Sequence, residues 1–453
     1  MLTLNKKILP LSLAVITATF ISTHFLSEGK VSTDSQIHQQ KVSNSEITLS
    51  GSIKDESSLV NTVAITGSVV NKPSQDEQVS DAEPSYFEYK DEVAIYAESF
   101  DVSEEEALRR LSRQDGLADT INAIVEKESE NIAGWGISHS PDYEGWISLK
   151  GNASISAESK HILSQNKDIR IKYGALNSFD SLKKAQDLVL SINESNDPSI
   201  ISDFMQGGLA SIDIDMTSNE LVVEINKNAQ PILSGQYSEE GFATEYAAHL
   251  ASVVDMPMRF TLGETLVQQT NITGGKTEEG CTLGFTVVNK DNKKGVVTAG
   301  HCANSMKGLN FVNEIIAGNI DAQFLTGKVG TTIKNTFRSN EKQYRKVRKT
   351  MSRDKMLGLM VCHWGATSYK SCGEITSINR IAPNSRNIRL DLVTVQGEKL
   401  TCQGGDSGGP WFSGQTAFGI HLGLMSQSTC AFSSIQEVEK ELGVNVILTP
   451  KKK

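Results

Sequence analysis

The spacing of apolar residues divides this chain into a mixed part and a strand-rich part. Apolar residues at helical spacing follow a capping box at residues 103–106, and the same spacing recurs at residues 178–192. Short runs of strand-forming residues, such as 134–138 and 211–215, lie between these helical segments. The pattern predicts an α+β domain over residues 86–269.

From about residue 274 the helical spacing disappears and returns only at residues 434–442. Short strand-like runs replace it, at residues 283–288, 295–298, 388–395 and 418–422. Loops rich in Gly, Asn and Ser separate these runs, which is typical of antiparallel sheets. We therefore expect an all-β domain, sandwich or barrel, over residues 270–453.

The beginning of the chain has a targeting pattern. Lys6 and Lys7 precede an apolar run at residues 8–21 that is too short to span a bilayer. This predicts a secretory signal peptide over residues 1–26 and a secreted protein, extracellular or periplasmic, with no membrane anchor after its removal. Residues 27–85 are predicted to form a flexible polar leader, since residues 30–85 contain no aromatic side chain.

Charge is distributed unevenly about the net value of −10. Residues 271–453 hold 24 Lys and Arg against 14 Asp and Glu, whereas the preceding 270 residues hold 20 against 40. Opposite charges would attract the two parts to each other, although each part also needs charge for its own solubility. Residues 338–355 contain eight basic side chains, which we interpret as a solvated loop rather than as a specific anion site. No nucleic-acid partner is expected.

Six cysteines lie in the basic part, at Cys281, Cys302, Cys362, Cys372, Cys402 and Cys430. An even number confined to one domain of a secreted protein predicts disulfides. Six cysteines could also bind zinc, but there is no C-x-x-C pair, so we expect no metal.

Two motifs carry candidate chemistry. His301 lies in the sequence Thr-Ala-Gly-His-Cys, and Ser407 in Gly-Gly-Asp-Ser-Gly-Gly-Pro. A serine hydroxyl becomes a nucleophile only beside a base, and the base needs an orienting acid. Asp321 lies between the motifs and is the candidate acid, with Asp391 as the alternative. This chemistry requires no cofactor.

These residues resemble the bacterial branch of the chymotrypsin family, the α-lytic protease and streptogrisin group. Residues 271–275, 281–285 and 297–302 carry the resemblance in the basic part, and residues 138–143 carry it in the acidic part. The resemblance implies two six-stranded β-barrels with the active site between them. It also implies that residues 86–269 are a pro-domain, a folding catalyst and inhibitor removed near Gln269 and Thr270.

The family resemblance assigns a role to each candidate residue. Ser407 would be the nucleophile of a serine endopeptidase, His301 its base and Asp321 the orienting acid, while the backbone N–H groups of Gly405 and Ser407 would form the oxyanion hole. The implied disulfides are Cys281–Cys302, Cys362–Cys372 and Cys402–Cys430. The implied partners are protein or peptide substrates and the chain's own pro-domain, with a monomer as product. A catalytically silent binding protein and an esterase with the same triad are the alternatives.

Asp406 precedes the candidate nucleophile, and its partner stays open. In related enzymes a free N-terminus or an arginine neutralises this carboxylate, but Ala366 stands at the arginine position here. A buried carboxylate without a partner is costly, so some cation or set of N–H donors must satisfy it.

His421 and Gly423 align with the strand that lines the specificity pocket. A histidine there occurs in glutamate-specific relatives, because an imidazole can donate to a carboxylate. A small or apolar preference, with His421 in a structural role, stays equally open. Leu400 and Thr401 before Cys402 argue against a preference for basic residues.

Overall fold

The computed structural model describes residues 86–194, 207–264, 266, 280–384, 388–426 and 428–450. They belong to one compact unit, residues 73–453. The predicted signal peptide, polar leader and processing junction near Gln269 and Thr270 lie outside the described residues.

The N-terminal domain contains two copies of one arrangement, in which an antiparallel strand pair is followed by a helix and a third, parallel strand. The first copy forms the sheet β1-β2-β3 and the second the strands β4-β5-β6. The elements are α1 (Tyr86–Phe100), α2 (Glu104–Lys127), β1 (Ile132–Ser138), β2 (Glu144–Lys150), α3 (Ala157–Gln165), β3 (Ile169–Ala175), α4 (Phe179–Glu194), β4 (Leu209–Asp215), β5 (Glu220–Asn226), α5 (Gln230–Leu233), α6 (Glu239–Val253) and β6 (Met258–Gly263). The predicted α+β character of this part is confirmed.

Local sequence explains where these helices begin and which face they bury. The hydroxyl of Ser103 accepts a hydrogen bond from the backbone N–H of Glu106 at 3.2 Å, so the predicted capping box begins α2. In α4, Leu182, Val189 and Ile192 recur at helical spacing and are buried against the domain core.

The C-terminal domain is built from strands, with one helix near its end. Its elements are β7 (Thr286–Asn289), β8 (Lys294–Thr298), β9 (Leu309–Ala317), β10 (Ile320–Gly327), β11 (Phe337–Arg338), β12 (Tyr344–Arg345), β13 (Lys349–Thr350), β14 (Met360–Gly365), β15 (Tyr369–Pro383), β16 (Arg389–Gln396), β17 (Pro410–Ser413), β18 (Thr416–Ser426), β19 (Thr429–Ser434), α7 (Ile435–Leu442) and β20 (Val444–Val446). The expected all-β domain is thus confirmed.

Two larger sheets and the two-stranded sheet β11-β12 make up the described part of this domain. Strands β14-β17-β18-β19-β16-β15 follow one another, and β14 also pairs with β15, which closes a six-stranded barrel. The other sheet has the order β20-β7-β8-β10-β9, with five named strands among the described residues. Its edge strand β20 follows α7, so the chain returns to this five-stranded sheet after the barrel has been completed.

The N-terminal domain docks on the barrel through backbone hydrogen bonds. Strand β4 pairs with β15 through Ile212 and Ile381, which continues the sheet β4-β5-β6 into the barrel. The backbone N–H of Ile137 donates to the carbonyl of Leu357 at 3.3 Å. At the next residue, Gly358, a Cβ atom would lie 2.1 Å from the carbonyl oxygen of Ile137, so only glycine permits this approach.

Acidic side chains of α1 and α2 meet the basic stretch at residues 338–355. Arg345 donates to the Glu92 carboxylate at 2.6 Å, with both side chains buried, and Lys370 lies 3.1 Å from the same carboxylate. Asp119 pairs with Lys349 at 3.2 Å and with Lys355 at 2.9 Å. The interpretation of this stretch as a solvated loop is therefore wrong for Arg345, because its side chain is buried and paired with Glu92.

Replacing Glu92 with Gln is expected to destabilise the full chain by about 3 to 5 kcal/mol, because Arg345 and Lys370 would stay buried without their carboxylate. Burial alone would raise the pKa of Glu92, but Lys370 and Arg345 outweigh it and lower the pKa from 4.5 to about 2. The stabilisation is present above pH 4.5 and is lost as the pH falls toward 2.

Denaturant unfolding of the full chain measures this effect. Glu98→Gln on the same helix is the matched control, since its pair with Lys399 is exposed and contributes less than about 1 kcal/mol. Equal unfolding free energies for the two variants would contradict the role given to Glu92.

Candidate active site

The five-stranded sheet β20-β7-β8-β10-β9 brings His301 and Asp321 together. Asp321 is the second residue of β10, which pairs with β8, and His301 lies in the turn after β8. The side-chain amide of Gln323 donates to the carbonyls of Ala299 at 2.9 Å and Cys302 at 3.0 Å, which fixes this turn. At Gly300 a Cβ atom would lie 3.0 Å from the Asp321 carboxylate, so glycine leaves room for that carboxylate.

A hydrogen-bond chain joins the three predicted residues. Nδ1 of His301 lies 2.9 Å from Oδ2 of Asp321, and Nε2 lies 3.0 Å from Oγ of Ser407. The backbone N–H of His301 also donates to Oδ1 of Asp321 at 3.0 Å. The alternative acid, Asp391, pairs instead with Arg353, away from the imidazole. The structure therefore brings together His301, Asp321 and Ser407.

Ser407 lies in a tight loop before β17, held from both sides. Its carbonyl accepts from the backbone N–H of Thr282 at 2.8 Å, and the N–H of Gly408 donates to the carbonyl of His421 at 2.8 Å. Gly405 and Gly408 have φ values of +102° and +86°, which disfavour other residues. The glycines thus let the loop turn sharply enough to present the serine.

Two threonines orient the peptide groups around Gly405. The hydroxyl of Thr367 donates to the carbonyl of Gly404 at 2.7 Å, and the hydroxyl of Thr282 donates to the carbonyl of Gly405 at 2.7 Å. In a trans peptide the C=O and the following N–H point in opposite directions. Holding the Gly404 carbonyl toward Thr367 therefore directs the N–H of Gly405 away from Thr367.

Asp406 is fully buried, and backbone donors satisfy it. Its Oδ1 accepts from the N–H groups of Thr367 at 2.8 Å and Ser368 at 2.9 Å, and its Oδ2 accepts from the N–H of Gln403 at 2.8 Å. Three such bonds stabilise a carboxylate in place of an arginine. At Gly365 a Cβ atom would lie 2.2 Å from Oδ1 of Asp406, so this arrangement also requires a glycine.

His421 is buried beside Trp411 and His363. Its Nδ1 accepts from the indole N–H of Trp411 at 3.2 Å, and its ring stacks on that of His363 with centroids 5.3 Å apart. Since an indole only donates, Nδ1 is the unprotonated nitrogen, and the neutral ring carries its proton on Nε2. Burial, with a contribution from His363, lowers the pKa of His421 to about 3, so the ring is neutral at ordinary pH. Gly423 follows on the same strand, paired with Ala431.

All six cysteines form disulfides, in the pairs Cys281–Cys302, Cys362–Cys372 and Cys402–Cys430. Their sulfur atoms therefore have no thiolate to offer zinc. Within the described ranges, His, Cys, Asp and Glu side chains form no cluster of three that could hold a metal ion. No helix in the described part of the chain is both long and apolar enough to cross a membrane.

Sequence reasoning missed Thr367, Thr282 and Trp411. Thr367 and Thr282 act on the Ser407 loop through hydrogen bonds to residues distant in the sequence, and Trp411 acts on His421 through its indole N–H. These pairings leave no pattern in the sequence. The short spacing between Cys362 and Cys372 was the available signal for Thr367, because the loop between these cysteines must lie beside whatever their strand pair contacts.

Known structures similar to this chain are bacterial proteases. Nocardiopsis protease is 25% identical over 40% of this chain and 100% of its own, with a TM-score of 0.34. Cellulomonas bogoriensis chymotrypsin is 24% identical over 39% of this chain and 98% of its own, with a TM-score of 0.33. A glutamic acid specific serine protease that uses a novel histidine triad in substrate binding is 21% identical over 37% and 93%, with a TM-score of 0.32.

No known family profile and no curated protein sequence matches the chain. Two of the similar structures are thus a serine protease and a chymotrypsin by name. The closed barrel, the second sheet and the preceding α+β domain agree with the predicted chymotrypsin-like fold with a pro-domain.

Proposed function

We propose that this chain is the precursor of a secreted serine endopeptidase. The observation that carries the proposal is the pair of hydrogen bonds that links Asp321, His301 and Ser407, at 2.9 and 3.0 Å. In this arrangement a serine hydroxyl, an imidazole and a carboxylate are within reach for one proton transfer.

Each residue has a defined step in the proposed reaction. Ser407 Oγ attacks the carbonyl carbon of the scissile peptide bond while Nε2 of His301 takes its proton. Asp321 holds the proton on Nδ1 and stabilises the imidazolium. The N–H groups of Gly405 and Ser407 donate to the oxyanion, and His301 then gives its proton to the leaving amine. Water hydrolyses the resulting acyl-enzyme by the same steps.

We further propose that residues 86–269 act as a pro-domain that guides folding and blocks activity until removal. The buried pair Glu92–Arg345 and the continuous sheet through β4 and β15 support a specific docked complex. Barrels with many non-local contacts fold slowly, so a docked template lowers the entropy lost on forming the barrel.

For the residue before the scissile bond we propose a preference for acidic side chains. The indole of Trp411 leaves Nε2–H of His421 as the donor for a substrate carboxylate. Because the pKa of His421 is about 3, this donor is a neutral imidazole. The preference should therefore persist from pH 6 to pH 8 rather than fade as an imidazolium would lose its charge.

Replacing Ser407 with Ala is expected to lower kcat/KM on a peptide substrate by about 10⁴-fold or more, because the nucleophile is lost. Hydrolysis of a peptide and of the matching ester by the processed protein measures this. Ser426→Ala, on the exposed end of β18, is the control that retains activity. Cleavage of the ester alone would favour the esterase, and undiminished activity in Ser407→Ala would refute the triad.

Thr367→Val is expected to lower kcat by about 10 to 100-fold with little change in KM, because the Gly404–Gly405 peptide would lose the bond that orients its N–H. Steady-state kinetics separate the two constants. Ser368→Ala is the matched control, since its buried hydroxyl lacks a partner in the structure and its backbone N–H is kept. Equal kcat values for the two variants would contradict an orienting role for Thr367.

His421→Met is expected to remove the acidic preference. Two peptides that differ only in Glu or Gln before the scissile bond give the ratio of kcat/KM values, which should be about 10-fold or more in the wild type and near 1 in the variant. Cleavage by the wild type after small or apolar residues, unchanged in His421→Met, would assign His421 a structural role.

A further inference from the structure

A cavity adjoins the loop that carries Ser407, and none of its lining residues belongs to β18, the strand of His421. It has a volume of about 650 Å³, and Thr282, Arg338, Tyr344, Trp364 and Tyr369 are among its lining residues. All of its lining residues belong to the C-terminal domain, so the cavity exists while the N-terminal domain is docked.

The wall of this cavity is directly bonded to the loop that carries Ser407. Thr282 donates its backbone N–H to the carbonyl of Ser407 at 2.8 Å and its hydroxyl to the carbonyl of Gly405 at 2.7 Å. Its hydroxyl also accepts from the N–H of Ala366, another lining residue, at 2.9 Å. The cavity therefore adjoins Ser407 without sharing a lining residue with β18, so a substrate whose acyl side lies along β18 would have its leaving-group side available to reach it.

The cavity is basic. Lys307, Lys334 and Arg338 line it, and its described lining contains neither Asp nor Glu.

Aromatic rings and backbone carbonyls hold Arg338 in place. Its guanidinium lies 4.8 Å from the ring centroid of Trp364 and 5.8 Å from that of Tyr344. It donates to the carbonyls of Asn340 at 3.1 Å and Glu341 at 2.6 Å, and within the described residues it forms no ion pair with a carboxylate. A guanidinium held in this way is already oriented for an incoming carboxylate, so little side-chain entropy is lost on binding.

We propose that this cavity is a substrate subsite that accepts an acidic side chain on the leaving-group side of the scissile bond, with Arg338 as the residue that recognises the carboxylate. The subsite rests on the proposed peptidase function for its place in the reaction, but its binding of acidic peptides can be measured without catalysis. It would make the enzyme select sequences with an Asp or Glu shortly after the cleaved bond.

Binding is tested in the full chain with Ser407→Ala, using short peptides with a free amino terminus and Glu or Gln at the first, second or third position. Tryptophan fluorescence reports occupancy, since Trp364 lines the cavity. We expect about tenfold tighter binding of one Glu peptide than of its Gln counterpart, weakening as salt is raised. Arg338→Gln should bring this ratio close to 1, and Arg338→Lys should retain part of it.

Arg348→Gln is the matched control, because Arg348 lies in the same basic stretch but does not line the cavity. It should keep the tenfold ratio. Equal binding of Glu and Gln peptides, or an unchanged ratio in Arg338→Gln, would overturn the subsite.

The corresponding ratio of kcat/KM values in the processed enzyme links the subsite to the reaction. Selective binding together with an inert processed enzyme would refute the peptidase and not the acidic site, whereas active cleavage with no Glu preference at any position would refute the subsite and not the peptidase.

Discussion

The hydrogen bond between Nε2 of His301 and Oγ of Ser407 joins two β units that each have their own hydrogen-bonded sheet. The proposed proton transfer tolerates little displacement, so it requires the two sheets to keep their relative position to within a fraction of an ångström. Much of the C-terminal domain serves this constraint. Thr282 precedes β7 of the five-stranded sheet but is hydrogen-bonded to the Ser407 loop of the barrel. Strand β20, which follows the last barrel strand and α7, pairs with β7 and so returns to the five-stranded sheet.

The Ser407 loop depends on buried polar bonds rather than on apolar packing. Asp406 gathers three backbone N–H groups, and two of them come from the loop between Cys362 and Cys372. The same loop supplies Thr367, which holds the Gly404 carbonyl. One carboxylate and one hydroxyl therefore tie the proposed oxyanion hole to a disulfide-closed hairpin, and no arginine is needed for this purpose.

Charge complementarity explains how the N-terminal domain docks. Glu92 carries the buried pair with Arg345, and Asp119 forms half-exposed pairs with Lys349 and Lys355. Buried pairs are geometrically demanding, so they favour one docked position over others more than they add stability. Arg338, at the beginning of the same basic stretch, lines the cavity beside Ser407 and has no acidic partner within the described residues. We therefore assign docking to Arg345, Lys349 and Lys355, and the proposed substrate contact to Arg338.

Much of this arrangement was readable from the sequence, and the exceptions share a cause. The capping box at Ser103, the helix α4 and the chain order of His301, Asp321 and Ser407 depend on local patterns, which a sequence contains directly. The donors to Asp406 are backbone N–H groups, which every residue carries, so no sequence pattern marks them. Arg345 was misinterpreted because its partner Glu92 lies 253 residues away. Strand β20 is three residues long, too short to give a pattern.

Ser407 is proposed to be activated by His301 and Asp321 once the N-terminal domain has been removed. Treatment with a serine-directed phosphonate, followed by mass spectrometry of the intact and the processed chain, tests it most directly. We expect one phosphonyl group on Ser407 of the processed chain, slow labelling of the intact chain, and much slower labelling in Asp321→Asn. A folded, processed chain that stays unlabelled at Ser407, or labels as fast with Asn at position 321, would contradict it.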